Sequence, residues 1–487
     1  MAFDHIYSGS NSNNVFDAIQ EANQQGYSLT DTWWIDGNDG DDTISGANSD
    51  DYLIGGAGVD IMAGRLGNDV YYVEDLGDDV VENANEGIDL VKSSLKSYTL
   101  AANVENLELT STLALGKIAY GYGNGLNNLM IGHKTSSHSD RLFGGSGDDT
   151  LRGYQGNDLL DGGDENDSLN GGSGNDTMIG GAGDDIFIVD SSGDVVIEAF
   201  NEGFDSVYAS LSSYELADNV EKLVFQGINT GVNGQGNVLD NVINVETGYT
   251  GPSSNTLNGL AGDDTIRGGE VTDYIDGGSG ADLMLGRGGN DVYEVDNVLD
   301  RILEYVNQGD SDRVISSVSY TLSDHVENLD LTGTAFSGEG NDLDNIIRGT
   351  SSYNRLVGND GNDTLVGQDG DDTLIGGNGD DVLDGAGNGA DPLESDGYFG
   401  GAGADTFVLG DSSGIGYLGF GNAGIHDFNS LEGDKIMVQG SMSDYQVTND
   451  PLGNTATIYY TGLGYQDAVG WVTNTSNVSL STDFVFV

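Results

Sequence analysis

From Asp42 to Tyr71 an apolar side chain returns at every ninth position: Ile44, Leu53, Met62 and Tyr71. Each follows an aspartate by two places (Asp42, Asp51, Asp60, Asp69), and each aspartate is preceded by a glycine-rich turn. The same clock runs through Asp149, Asp158, Asp167, Asp176 and Asp185, and again through Asp264, Asp273, Asp282 and Asp291. A fourth run holds Asp363, Asp372 and Asp381, then Asp396 and Asp405 after six extra residues that include Pro392, an insertion that belongs in a surface loop. Nine places before the first aspartate of the later runs stand Asp140, Asn255 and Asn354, whose side-chain oxygens also suit a hard cation. From Asp42 the same step reaches Trp33, where the first run begins.

This pattern predicts a tight turn followed by a very short strand. Glycine permits positive φ and close approach of backbone carbonyls, and the apolar residue points inward. Two nonapeptides make one coil of a parallel solenoid. Stacked coils set like turns side by side, so an ion can sit between the carbonyls and carboxylates of adjacent turns.

A longer unit separates the runs: "SYTLAANVENLELT" at 97–110, "SYELADNVEKLVFQ" at 213–226 and "SYTLSDHVENLDLT" at 319–332. Its apolar and polar residues alternate, which predicts half-buried strands. Val104, Val220 and Val326 anchor the three copies; Tyr98, Tyr214 and Tyr320 are candidates either for packing or for glycan contact. Near the N-terminus, "NNVFDAIQEANQQG" places Val15, Phe16, Ile19 and Ala22 on one side of a short helix, with asparagine before it and Gly26 after. After Asp405 the clock stops and alternating strands predict a β cap.

Charge turns this fold into a chemical problem. The 487 residues carry 81 acidic and 15 basic side chains, a formal net charge of -66. Such self-repulsion opposes compaction, yet 37% hydrophobic residues exceed what a solvated disordered acid carries. Something cationic, metal ions or a basic partner, must complete the fold, and metal is the simpler choice. Nucleic acid and anionic membranes are repelled by this field. The chain contains no cysteine, so hard oxygen ligands remain, which favour calcium or magnesium over zinc. Ions in place of disulfides suggest an extracellular protein. The first ten residues lack the features of a cleavable signal, and no apolar run is long enough to cross a bilayer.

The strings "GGSGNDTMI" and "GGAGDDIFI" match the nonapeptide G-G-x-G-x-D-x-U-x, and the chain closely resembles the RTX, or hemolysin-type calcium-binding, repeat family. The resemblance implies an all-β protein: a parallel β-roll or β-solenoid array with calcium bound between coils, here with a short N-terminal helix and a C-terminal β cap. It implies several Ca2+ ions held by turn carbonyls and by the sixth-position aspartates named above, Asp140 included. Similar VENLxLTG cassettes accompany RTX rolls in large secreted bacterial proteins, which suggests that the cassettes continue the solenoid. The ending "STDFVFV" resembles that of type I secreted relatives, so the segment from Asp434 onward is expected to carry an export signal.

The expected organisation is an N-terminal segment (1–32), four rolls (33–72, 140–189, 255–294, 354–408), three intervening cassettes (73–139, 190–254, 295–353) and a C-terminal cap (409–487). None of the five histidines forms an HExxH helix, and no run ends in the glutamate of an EF-hand loop. The string "GDSSG" at 410–414 fits G-x-S-x-G with Ser412 as nucleophile, but the glycine-rich stretch after it opposes the helix an elbow requires. Long apolar helices of pore-forming relatives are absent from the sequence. The reading is therefore a non-enzymatic, secreted bacterial protein, extracellular or at the cell surface, that self-assembles into a surface layer, sheath or matrix when calcium folds it. Alternatives are a calcium-dependent adhesin or polysaccharide-binding protein, and an accessory module or cryptic hydrolase.

Overall fold

A computed structural model describes every residue except 1–2, 111–117, 136–137, 247, 249, 387–393, 412–413, 418–420, 451–453, 463–465 and 474–477. Pro392 and Ser412 thus lie outside the described residues. The chain forms two compact units, Met1–Ile228 and Asn229–Val487, and each is a parallel β-solenoid.

Within the rolls the strand partners lie eighteen residues apart, except across the insertion of the fourth roll, where Thr373 pairs with Gly397 and Val382 with Thr406, twenty-four residues on. On one side of the first unit Trp34 pairs with Tyr52 and Tyr52 with Val70; on the other, Thr43 pairs with Ile61. In the second unit Thr265 pairs with Leu283 and Tyr274 with Val292. One nonapeptide therefore crosses from one sheet to the other, and two complete a coil. The apolar position of every repeat faces the interior: Ile44, Leu53 and Met62, then Leu151, Leu160 and Leu169, are all 0% exposed. Burial of each such side chain contributes about 2 kcal/mol, and this file of side chains is the core of each roll.

The cassettes continue the solenoid. Leu90–Ser93 pairs in parallel with Val70–Val73, Asn106–Leu109 with Leu90–Ser93, and Leu129–Ile131 with Asn106–Leu109. Coil length changes there: Val70 to Leu90 spans 20 residues, Leu90 to Asn106 spans 16, and Asn106 to Leu129 spans 23. Strand register is kept while the turns vary, so the nine-residue clock disappears although the coils do not. Val104, Val220 and Val326 are fully buried. Tyr98, Tyr214 and Tyr320 are half-buried, and burial pushes the pKa of each phenol upward, to about 12 for Tyr214.

The helix spans Ala18–Gln25, shorter than the sequence suggests. Asp17, not an asparagine, caps it by accepting the Gln20 N–H at 3.1 Å, and Gly26 closes it at φ 79°. Val15 and Phe16 belong instead to the strand Val15–Asp17, which pairs with Thr43–Ser45 of the next coil. That ladder satisfies the backbone and buries Phe16, which one more helical turn would forgo. No helix among the described residues is long and apolar enough to cross a membrane. At the C-terminal end the parallel pattern gives way to antiparallel strands Tyr445–Asn449, Thr455–Tyr460 and Asp467–Thr473, while Phe484–Phe486 pairs in parallel with Lys435–Val438.

Candidate metal centres

Each sixth-position aspartate stands where a turn enters a strand, fully enclosed by the coils before and after it. One carboxylate oxygen ties two coils together. Asp60 accepts the main-chain N–H of Asp42 at 2.7 Å, Asp167 that of Asp149 at 2.7 Å, Asp282 that of Asp264 at 2.8 Å and Asp381 that of Asp363 at 2.8 Å. A carboxylate on one coil thus replaces the strand partner that the turn lacks.

The second oxygen is the informative one. Of the nineteen aspartates read from the clock, all except Asp51, Asp140, Asp273 and Asp396 have a buried Oδ2 with no hydrogen-bond partner. Each of these oxygens lies against the first glycine of its own repeat. A Cβ on Gly162 would overlap Asp167 Oδ2 and sit 2.7 Å from the carbonyl oxygen of Gly180, one coil on. Gly37, Gly259 and Gly358 stand in the same way against Asp42, Asp264 and Asp363, with the Gly55, Gly277 and Gly376 carbonyls 2.6, 2.5 and 2.6 Å from the hypothetical Cβ. Glycine leaves open a space lined by a carboxylate and a carbonyl, both hard oxygen donors. A buried ionised carboxylate without a partner is strongly unfavourable, and a calcium ion, which takes six to eight oxygen ligands, removes that penalty. The residues present fit the ion.

Burial raises these carboxyls, and neighbouring carboxylates raise them further. Asp149 is pushed up to about 7, Asp167 and Asp69 to about 8 and Asp291 to about 9. Calcium therefore competes with protons for the same oxygens.

The four exceptions give their second oxygen to the protein. Asp51 accepts the Ala47 N–H at 2.5 Å and Asp273 that of Gly269 at 2.6 Å. Their repeats carry Ser49 and Val271 in the fourth position, where Gly40, Gly156 and Gly280 adopt positive φ in others. Asp140 accepts the His133 main-chain N–H and faces its Nδ1, both at 2.7 Å, and Asp396 accepts the hydroxyl of Tyr417. Asn255 and Asn354 are likewise engaged through their side-chain oxygens, by Val232 and Thr350.

The ladder also reaches residues outside the sequence reading. Asp78, Asp194 and Asp300 accept the N–H groups of Asp60, Asp176 and Asp282 at 3.2, 3.0 and 3.1 Å, and each is simply one more tick of the clock. Asp89, Asp205 and Asp312 then accept from Asp69, Asp185 and Asp291, and the cassette glutamates Glu105, Glu221 and Glu327 accept from those three in turn. Where a cassette meets the next roll, Asn128, Asn241 and Asn345 take the aspartate's place. The Asn128 oxygen accepts the Asn124 N–H at 2.8 Å and its amide donates to the Glu105 carbonyl at 3.1 Å, so these coils close without charge.

Parallel coils laced by carboxylates, with glycine-guarded oxygen cradles between them, define a cation-binding β-solenoid. The RTX calcium-binding nonapeptide repeat family matches residues 36–71, 135–169, 161–196, 249–284, 272–293, 339–374 and 357–391, so the chain carries RTX repeats in these segments. Calcium is the cation these repeats bind. The chain is similar to the endo-1,3-1,4-beta-glycanase ExsH of Rhizobium meliloti (strain 1021), with 34% identity over 99 residues, 20% of this chain and 19% of that protein. It thus spans about a fifth of the length of that curated relative. The solution structure of the AlgE6R3 subunit from the Azotobacter vinelandii mannuronan C5-epimerase aligns with 26% identity over 30% of this chain and 78% of its own, at a TM-score of 0.13. The extracellular lipase LipA from Serratia marcescens aligns with 17% identity over 58% and 45%, also at a TM-score of 0.13.

Proposed function

We propose that this protein is exported unfolded and becomes, on binding calcium outside the cell, a self-assembling structural element of a surface layer, sheath or matrix. The observation that carries the proposal is the set of partnerless Oδ2 atoms buried between coils. Without cations they oppose stacking; with cations they hold it. Cytosolic calcium is too scarce to fill weak extracellular-type sites, which keeps the chain extended for passage through a type I channel. A structural role is supported by coils that recur from His5–Ser8 to Phe484–Phe486. Sedimentation velocity across a calcium titration, with circular dichroism on the same samples, tests this. Growth into large species together with β-structure is expected; a folded protein that remains monomeric at saturating calcium rejects the assembly role.

A second reading, a calcium-dependent adhesin or polysaccharide-binding protein, is favoured by the similarity of part of the chain to a protein named as a glycanase. Tyr320→Ala tests it. Loss of glycan binding with unchanged melting supports a binding face, whereas loss of stability alone assigns the ring to packing.

A further inference from the structure

At three places the clock meets a glutamate where the next coil should offer a glycine. Gly64, Gly180 and Gly286 open the last repeats of the first three rolls, and the residues eighteen positions on are Glu82, Glu198 and Glu304. In an ordinary cradle that position is a glycine whose carbonyl lines the site, as Gly180 does for Gly162. The coils that follow are longer, so the next rung is Asp89, Asp205 or Asp312, which accepts the N–H of Asp69, Asp185 or Asp291 at 2.8, 2.8 and 2.7 Å.

The result is three triads, Asp69–Glu82–Asp89, Asp185–Glu198–Asp205 and Asp291–Glu304–Asp312, in each of which one oxygen per residue lies within 4.8 Å of the others. None of the nine side chains is more than 8% exposed. Eight of the nine, all but Asp205, hold at least one buried oxygen with no hydrogen-bond partner. Tyr71 and Tyr293 donate their hydroxyls to Glu82 and Glu304. In the middle triad Phe187 stands at that position, and both oxygens of Glu198 are partnerless. No described cation faces these groups closely enough to bond them.

We infer that these triads are three calcium sites of a second kind, built from three carboxylates where the repeat cradles combine carboxylates with neutral carbonyls, and that they fill first. Three like charges in one buried space repel strongly, and a divalent ion leaves a net charge of only about -1 there, so attraction per ion exceeds that of a cradle. The fourth roll supplies a contrast within the same chain. Its last aspartate, Asp405, donates its N–H to Asp434 at 3.1 Å, and no such triad forms there among the described residues.

The inference rests on the calcium-binding reading of the repeats, and the test separates the two. Bound calcium is counted by equilibrium dialysis with radioactive calcium on the full chain and on the triple variant E82Q/E198Q/E304Q, with circular dichroism at saturating calcium as the folding check. Three fewer ions, lost from the tightest class, are expected. An unchanged count and affinity overturns the triads while leaving the repeats intact; absence of binding by the unmodified protein overturns both. Should the triple variant not fold, E198Q alone must lose one ion, and retention of the full count overturns the proposal. Terbium-soaked crystals of the unmodified protein give an independent answer: anomalous peaks within the triads support it, and peaks confined to the repeat cradles overturn it.

Discussion

Phe187 stands in the second roll where Tyr71 stands in the first, two residues after the last aspartate, and both rings are completely buried. Tyr71 donates its hydroxyl to Glu82, whereas Phe187 offers Glu198 no hydroxyl. The variant Phe187→Tyr is expected to supply one. A hydrogen bond to a charged acceptor contributes about 1.5 kcal/mol or more, so the urea midpoint should rise at saturating calcium with the number of bound ions unchanged. A midpoint that does not move shows that the added hydroxyl fails to reach Glu198.

Asp167 separates the two duties of a repeat aspartate. Its Oδ1 accepts the Asp149 N–H at 2.7 Å while Oδ2 faces the cradle. Asparagine keeps an acceptor for that N–H and removes the charge; alanine removes both. Each variant should bind fewer calcium ions, and Asp167→Ala should be less stable than Asp167→Asn by roughly 1–3 kcal/mol, the penalty for an unpaired buried N–H. Equal stabilities would mean that the inter-coil bond contributes nothing.

Much of this was legible in advance because the clock writes the coil directly. Within each roll the inward file of apolar side chains and the aspartates beside the cradles follow from the nine-residue period. Legibility ended where coil length changed. Asp89 lies 20 residues after Asp69 and Glu105 only 16 after Asp89, so no fixed step finds them although they extend the same ladder. Glu82 was on the clock but in the glycine column, and a search for aspartates passes over it. Ser49 and Val271 replace the turn glycine before Asp51 and Asp273, but Glu165 does so before Asp167, whose Oδ2 stays partnerless, so the fourth position alone does not separate the two kinds of turn. Phe16 went to a strand because pairing with the next coil outweighs a helical period carried by four residues.

Stability of the cation-free protein should depend on pH in the sense opposite to calcium affinity. Burial holds Asp167 at about 8 and Asp291 at about 9, well above an unfolded aspartate near 4. The folded state therefore binds protons that the unfolded chain has released, and its stability is greatest below the unfolded value and is lost as pH rises through the folded one. In chelator, β-structure measured by circular dichroism should grow on acidification from pH 9 toward 4. Calcium binding to the folded protein should release protons and tighten as pH rises over the same window. A folded-state calcium affinity independent of pH contradicts these raised carboxyls.

Gly162 and Gly125 make a paired test of the cradles. A Cβ on Gly162 would occupy the space between Asp167 Oδ2 and the Gly180 carbonyl, whereas one on Gly125 meets nothing within 4 Å. Gly162→Ala is expected to lose calcium and to shift folding to higher calcium concentration. Gly125→Ala should stay within about 0.5 kcal/mol of the unmodified protein. Similar behaviour of the two would show that the glycine does not guard the ion.

The uncharged coils at Asn128, Asn241 and Asn345 interrupt the line of ion-held contacts at the entries to the second, third and fourth rolls. Their hydrogen bonds are complete within the protein, so they neither gain strength from calcium nor fail when it is withdrawn. Under tension such a chain should lengthen in steps, one roll yielding at a time while its neighbours hold, with the force of each step set by dissolved calcium. Such a chain would act as a series of fuses whose rating the surrounding medium adjusts.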